Sequence, residues 1–422
     1  MLAGSAYAQQ APTPPGRQIF NSKIVPLTDA SMRDGDPRPT TRDNALQALD
    51  WLIYGNVIVG GAYDSNVYSA ANQRPAFGPR FQPYVVAERN TGIQRTLLYG
   101  TGDIRYYPSL GRTDVANTSA GVAHIWEIQR DLVFRAQAEA TRGIEGSMLN
   151  GVVATPGVLY TEPANYTSMF GSTSIEKEFG RFFTAVGGSV TGTTYENTRN
   201  NLGTIVDEQF RNGTVSTFNG RFGYHLTPIV YMFAEPSVTL GRFNATTLDY
   251  DAYRIIAGLG SARIGLFNGE VYGGTLWSQF ADPTIPALTS GLYGGRVSWF
   301  PTRFITVTGA VDQTLGTTDF NPGSISPGSS PGSITKTNTA KLNVAWATIR
   351  NVTLDGRLVV RHFDILNSGR QDHSVEPGLA VTYNLNPRAG IVVDLSHVQY
   401  YSNIAGASYT RNLISVGGKT TF

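Results

Sequence analysis

From Trp51 to the end, the chain repeats one pattern: segments of about 11–15 residues in which apolar and polar side chains alternate. Leu132, Phe134, Ala136, Ala138 and Ala140 alternate with Val133, Arg135, Gln137, Glu139 and Thr141. Val352, Leu354, Gly356, Leu358 and Val360 do the same against Thr353, Asp355, Arg357, Val359 and Arg361. Period two is the period of a strand, with one set of side chains on each face. Strands of soluble sandwiches usually run ~5–6 residues. Segments twice that long match the ~9–11 residues that cross a bilayer at a tilt, plus short extensions. In hydrocarbon every backbone group must pair internally, so such a sheet has to close on itself.

The connections alternate between tight and long. Tight turns are expected at Asn90–Ile93, Ile128–Arg130, Glu178–Arg181, His225–Pro228, Leu266–Gly269, Phe300–Arg303, Thr348–Asn351 and Leu385–Arg388. Longer polar or Gly/Pro-rich stretches lie between them, including Ser65–Gly78, Gly143–Pro163, Asn197–Glu208 and Gly316–Ile334 with its three Pro-Gly pairs. The predicted strands are 53–64, 80–89, 95–107, 116–127, 131–142, 164–177, 181–195, 210–224 and 229–242. They continue at 250–264, 269–280, 288–299, 303–315, 335–347, 351–363, 371–384, 389–401 and 408–422. The fold class is therefore all-β: a transmembrane antiparallel β-barrel of 18 strands, or 16 if one loop pair is split wrongly. The turns recur every ~42 residues, close to a propeller blade, but no Trp-Asp or Gly-His signature repeats and the strands are too long.

Composition agrees. Charged residues make up 15% against ~25% in soluble domains, yet the hydrophobic fraction of 41% is also low. Gly (47), Tyr (21) and Phe (20) fill the difference. No apolar run reaches the length of a membrane helix. With no cysteine there is no disulfide frame and no thiolate site, and a net charge of +2 gives no electrostatic case for nucleic acid. The aromatics Trp51, Tyr54, Tyr106, Tyr107, Trp126, Trp299, Phe300, Tyr400 and Tyr401 fall near strand ends, as two interfacial girdles require.

The ends carry their own signals. Ala6-Tyr7-Ala8 has the small-x-small form that closes a secretory signal, so residues 1–8 read as a signal-peptide remnant. Residues 9–50 are proline-rich and aperiodic, which predicts a periplasmic extension able to plug the barrel formed by 51–422. Phe422, in phase with Val416 and Ile414, resembles the assembly signal read by the barrel-insertion machinery.

Ala62-Tyr63-Asp64-Ser65-Asn66-Val67-Tyr68 closes the first strand, and Lys177-Glu178-Phe179-Gly180-Arg181-Phe182 makes a tight turn into a long strand. Both resemble features of the outer-membrane β-barrel porin family 2 of proteobacteria. The resemblance covers residues 51–422 and implies a porin-like barrel in the outer membrane of a Gram-negative bacterium. It implies no catalytic residues. Some members of that family are thought to serve the export of surface polysaccharide.

Strand parity places one set of charged residues toward the lumen: Asp103, Arg105, Arg135, Glu139, Arg221, Glu235, Arg254, Arg296, Asp312, Lys341, Asp355, Arg357, Arg361, Glu376, Asp394 and Arg411. Facing lipid at the midplane, an Arg or Lys would cost ~2–4 kcal/mol. These residues either neutralise one another and support the wall, or form a selectivity lining for anionic or sugar-like solutes. No metal site or cofactor is expected: the five histidines share no ligand spacing, and Asp372, His373 and Ser374 point to alternate faces. Gly258-Leu259-Gly260 lies within a strand, so it makes no dinucleotide loop.

The leading function is passive diffusion of small hydrophilic solutes through an Arg-rich lumen, with inward-folding loops setting its size. The alternatives are a polysaccharide conduit with a periplasmic partner, favoured by lumenal Tyr99, Tyr231, Phe233 and Phe363, and a closed structural or adhesive barrel. The expected surroundings are outer-membrane lipids and lipopolysaccharide.

Overall fold

The computed structural model describes residues 44–422 except 68, 70–72, 111–114, 145–163, 200–204, 265, 284–285, 318–333, 350, 366–369 and 405–406. Its long strands are β1 Trp51–Asp64, β2 Ala76–Asn90, β3 Gln94–Arg105, β4 Val115–Gln129, β5 Leu132–Ile144 and β6 Asn165–Phe179. Next come β7 Phe182–Tyr195, β8 Gly213–His225, β9 Val230–Phe243, β10 Tyr250–Ile264, β11 Phe267–Phe280 and β12 Leu288–Thr302. The last six are β13 Ile305–Thr317, β14 Ile334–Ile349, β15 Val352–Ile365, β16 Arg370–Asn386, β17 Ala389–Ser402 and β18 Tyr409–Thr421. Each pairs antiparallel with its sequence neighbours. β1 pairs with β18, from Asn56 opposite Thr421 to Asp64 opposite Leu413. The sheet is thus a closed barrel of 18 strands, with no free edge to leave backbone groups unpaired in lipid.

Every predicted strand and tight turn is present, and the eight tight turns share one end. The largest boundary shift is in β2, which begins at Ala76 rather than at residue 80. Pro79 lies within the added stretch: its carbonyl accepts from the Tyr106 N–H, and the alternation runs through it. Residues 1–8 and most of the 9–50 extension lie outside the described residues, as do most of Gly143–Pro163 and Gly316–Ile334. At the tight-turn end, Leu46–Ala48 folds back on β1, and Asn44 donates to the Pro387 carbonyl at 2.7 Å.

Burial separates the two faces. Outward positions carry exposed apolar side chains such as Val59, Phe77, Met169, Phe218 and Val271, whereas buried Arg, Glu and Asp occupy the inward positions between them. Outward aromatics gather at both ends: Trp126, Phe179, Phe182, Phe267, Trp299, Trp346 and Tyr383 near the tight turns, and Phe77, Tyr106, Tyr293 and Tyr401 near the loops. Phe267 and Trp299 stack there, 6.1 Å apart and 8° from parallel. The girdle expectation needs a correction, because Tyr54, Tyr107 and Tyr400 are buried. Adjacent residues on a strand face opposite ways, so Tyr106-Tyr107 and Tyr400-Tyr401 each split between the faces.

The inner wall explains much of the glycine content. A side chain at Gly260 would meet the Tyr231 ring, and one at Gly223 the Phe183 ring. Tyr99, Phe233 and Tyr272 likewise lie over Gly121, Gly258 and Gly294, which lets these rings bed against the wall.

Pro83, Pro236 and Pro377 lie in strand interiors, and each interrupts one ladder. Pairing skips Gln82 and Pro83 of β2 against β3, Glu235 and Pro236 of β9 against β8, and Glu376 and Pro377 of β16 against β17. Proline offers no N–H, so an interior strand is an unusual place for it. Each gap adjoins an inward carboxylate: Asp103, Glu235 or Glu376.

Candidate functional site

All sixteen charged residues named above from strand parity stand on the inward face, in register with the buried polar set. They form separate groups around the wall.

The first group spans the seam. Asp64 is fully buried and accepts from Arg411 at 2.6–3.1 Å, with Arg105 Nη1 3.7 Å away and the Tyr107 hydroxyl at 3.5 Å. Tyr107 lies beyond the end of β3, and burial pushes its hydroxyl pKa up. Asp103 accepts a two-pronged bond from Arg80 (2.8 and 2.9 Å) and another from Arg105 at 2.9 Å. Arg80 also reaches Ser415 at 2.6 Å and stands 3.8 Å from Asp394, which Arg357 holds at 2.9 Å. Three aspartates and four arginines thus form one chain across β15, β17, β18, β1, β2 and β3.

The sequence motif at the end of β1 acquires a role here. Asp64 caps the Asn66 N–H at 3.0 Å, and the Asn66 amide donates to the Thr410 carbonyl at 3.0 Å. Val67 packs with Ala76 and Tyr107. Asp, Asn and Val therefore tie the first loop to the last strand.

The second group sits on β8–β11. Arg221, 2% exposed, lies 3.7 Å over the Phe233 ring. It donates to Glu235 at 2.8 Å and, two-pronged, to Glu270 at 3.1 Å. Arg254 holds the other Glu235 oxygen at 2.8 Å, and the Tyr231 hydroxyl holds Glu270 at 2.9 Å. Planar guanidinium against planar carboxylate is the geometry that favours Arg over Lys in such walls.

Smaller pairs complete the lining. Arg135 meets Glu176 at 2.8 Å, Arg370 meets Asp372, and Arg361 bonds Glu376, which also accepts from Ser374. Glu139 accepts from Tyr99 at 2.7 Å and from Thr141 at 3.2 Å. Asp312, Arg296 and Lys341 lie inward on β13, β12 and β14, with no ion pair within 4.0 Å among the described residues. Asp355 lies inward on β15. Ile414 and Val416 face outward, and Phe422 exchanges two backbone bonds with Gly55 across the seam.

Sequence reading missed Asp64, Arg80, Glu176, Glu270, Arg370 and Asp372, all inward partners in these groups. The signal was available. Arg80 keeps phase with Ala76 and Gly78, and Glu270 lies two positions before inward Tyr272. Outside the wall, Lys177 bonds Asp131 in a tight turn at 2.6 Å and holds that carboxyl below its usual range. Asp372 and Ser374 face inward while His373 faces outward against His362, so no Ser-His-Asp arrangement forms there. No group of three metal-ligating residues occurs among the described residues.

Residues 46–422 match the family model described as "Putative beta-barrel porin 2". The chain belongs to this family. As a member of it, the protein is an outer-membrane barrel of a Gram-negative bacterium, of porin-like channel type. No curated protein sequence matches the chain. Among solved structures it resembles the outer membrane protein OpdK from Pseudomonas aeruginosa, at 10% identity and a TM-score of 0.44, over 88% of this chain and 99% of that one. It also resembles the siderophore receptor PirA from Acinetobacter baumannii, at 8% identity and a TM-score of 0.43, over 87% and 80%. Against the ferric citrate transporter FecA the TM-score is 0.40 at 11% identity, and the match spans 60% of that protein's length. Likeness at this level does not extend to cargo.

Proposed function

We propose that the barrel is a passive channel for small hydrophilic solutes, with a lumen lined by charge. The observation that carries this reading is the pairing of most inward charges along the wall, where Arg221 also lies against the Phe233 ring. Barrels of 16–18 strands are wide enough to leave an aqueous passage between such walls. The lining then sets preference while the loops and the N-terminal segment set size.

The alternative of a polysaccharide conduit draws on lumenal aromatics. Tyr99, Tyr231, Phe233 and Phe363 are 6%, 3%, 4% and 3% exposed, so they offer no open stacking surface in this conformation. That favours simple diffusion.

Single-channel recording in planar bilayers tests the proposal. A stable open step is expected. Persistent silence, including in a chain lacking residues 9–50, would exclude a passive channel; current that appears only on that deletion would move the reading toward a gated conduit.

A further inference from the structure

Most inward charges are spoken for. Arg135, Arg221 and Arg370 are buried against carboxylates, and Asp64, Asp103, Glu176, Glu235, Glu270, Asp372, Glu376 and Asp394 all accept from cations. One stretch differs. Arg296 on β12 and Lys341 on β14 are exposed and have no carboxylate within 4.0 Å among the described residues. The register puts both opposite Ala310 of β13, one on each side. Glu270, opposite Arg296 on the other side, is already held by Arg221 and Tyr231.

The neighbouring levels carry further cations, each held by an acid from the adjoining strands: Arg361 by Glu376 and Arg357 by Asp394. Two residues toward the loops, Arg361 lies opposite Thr339, and two toward the tight turns, Arg357 lies opposite Asn343 with 43% of its side chain exposed. Each step is ~6.8 Å along a strand, so the cations descend the wall over roughly 14 Å. Asp312 and Asp355 are the acids on these four strands. Asp312 shares the Arg361 level and Asp355 lies below Arg357. On β12–β15, the levels of Arg296, Lys341 and Arg357 bear no acid.

We propose that the inner face of β12–β15 is a binding path for small oxyanions, carboxylates or phosphate, with Arg296 and Lys341 flanking a bay floored by Ala310. Two strand spacings separate the pair by ~10 Å, and both side chains are long enough to lean over a methyl group toward one anion. An arginine fork and a lysine point charge together suit the planar or tetrahedral oxygens of such a solute. The small floor leaves the space that bulky residues occupy elsewhere on the wall.

This inference rests on the channel reading above. Reversal potentials across a KCl gradient should show chloride preference, and added inorganic phosphate should reduce the chloride current. In R296Q/K341Q the chloride-to-potassium ratio should fall about fivefold per charge removed, because a unit charge ~8 Å away in water shifts chloride and potassium each about twofold, in opposite directions. Phosphate block should also disappear. Arg142→Gln, at an exposed ion pair with Glu196, should leave both unchanged. Because the double variant breaks no ion pair, it should fold; Lys341→Gln alone gives the same readout at half the effect. A conducting wild-type channel that prefers potassium or shows no preference would overturn the oxyanion path and leave the channel standing. An unchanged ratio in the double variant would do the same. Silence in wild type would overturn both.

Discussion

Arg411 of β18 grips both carboxylate oxygens of Asp64 on β1, across the line where the last strand meets the first. The acid is wholly buried, and Arg105 and Tyr107 approach it from β3 and the residues just beyond. The clasp ties the seam to the wall two strands away.

Asp64→Asn should therefore destabilise the barrel by about 3 kcal/mol, the scale for breaking a buried pair and stranding its partner. Arg411→Ala should cost a similar amount. The double variant should cost much less than the sum, because neither charge is then orphaned. The temperature at which the folded band disappears on heat-modifiability gels, with urea titrations in detergent, measures all three.

The second charge cluster has a different weak point. Arg221→Gln leaves Glu235 with Arg254 alone and Glu270 with only the Tyr231 hydroxyl. Two consequences are expected: lower stability, and a lumen shifted toward cations. A reversal potential moving toward that of potassium, beside an earlier urea midpoint, would show both.

The aromatic-over-glycine packing predicts unequal tolerance. Gly223→Val and Gly260→Val push Phe183 and Tyr231 off the wall, and such overpacking typically costs ~1–3 kcal/mol. Gly291→Ala and Gly309→Ala meet nothing within 4 Å and should be near neutral. Parallel urea midpoints separate the two classes.

The outer face should reject charge. Phe218 is exposed near the middle of β8, where an Arg facing lipid costs ~2–4 kcal/mol. Phe218→Arg should fold poorly into lipid vesicles, whereas Asn219→Arg, one position on and facing the lumen, should insert normally. Equal yields would contradict the assigned faces.

The barrel was legible because lipid imposes a rule on every strand: alternate residues must be apolar, and the alternation persists for twice the usual length. Strand number and turn placement followed from it. Parity also placed Arg135, Glu235 and Arg411 on one face. It could not say which of them were neutralised, because Arg221 meets Glu270 across three strands and Arg80 meets Asp394 through the seam. Such contacts depend on shear and closure, which no local window contains. The ladder gaps at proline are equally non-local. Pro83, Pro236 and Pro377 break a ladder in only one direction, so the strand survives through its other neighbour. The paired aromatics failed as girdle markers because proximity to a strand end does not fix the side on which a ring points.

The clasp also bears on how the molecule can be made. Asp64 and Arg411 stand 347 positions apart in the chain, whereas every other ladder joins strands adjacent in sequence. Hairpins can form one after another with little loop entropy, but the final union waits for the far end of the chain. Until then, two open edges coexist at the boundary of the membrane. A buried ion pair at that junction makes completion a discrete event, and the rate at which the ring shuts becomes a property of one contact between distant parts of the sequence.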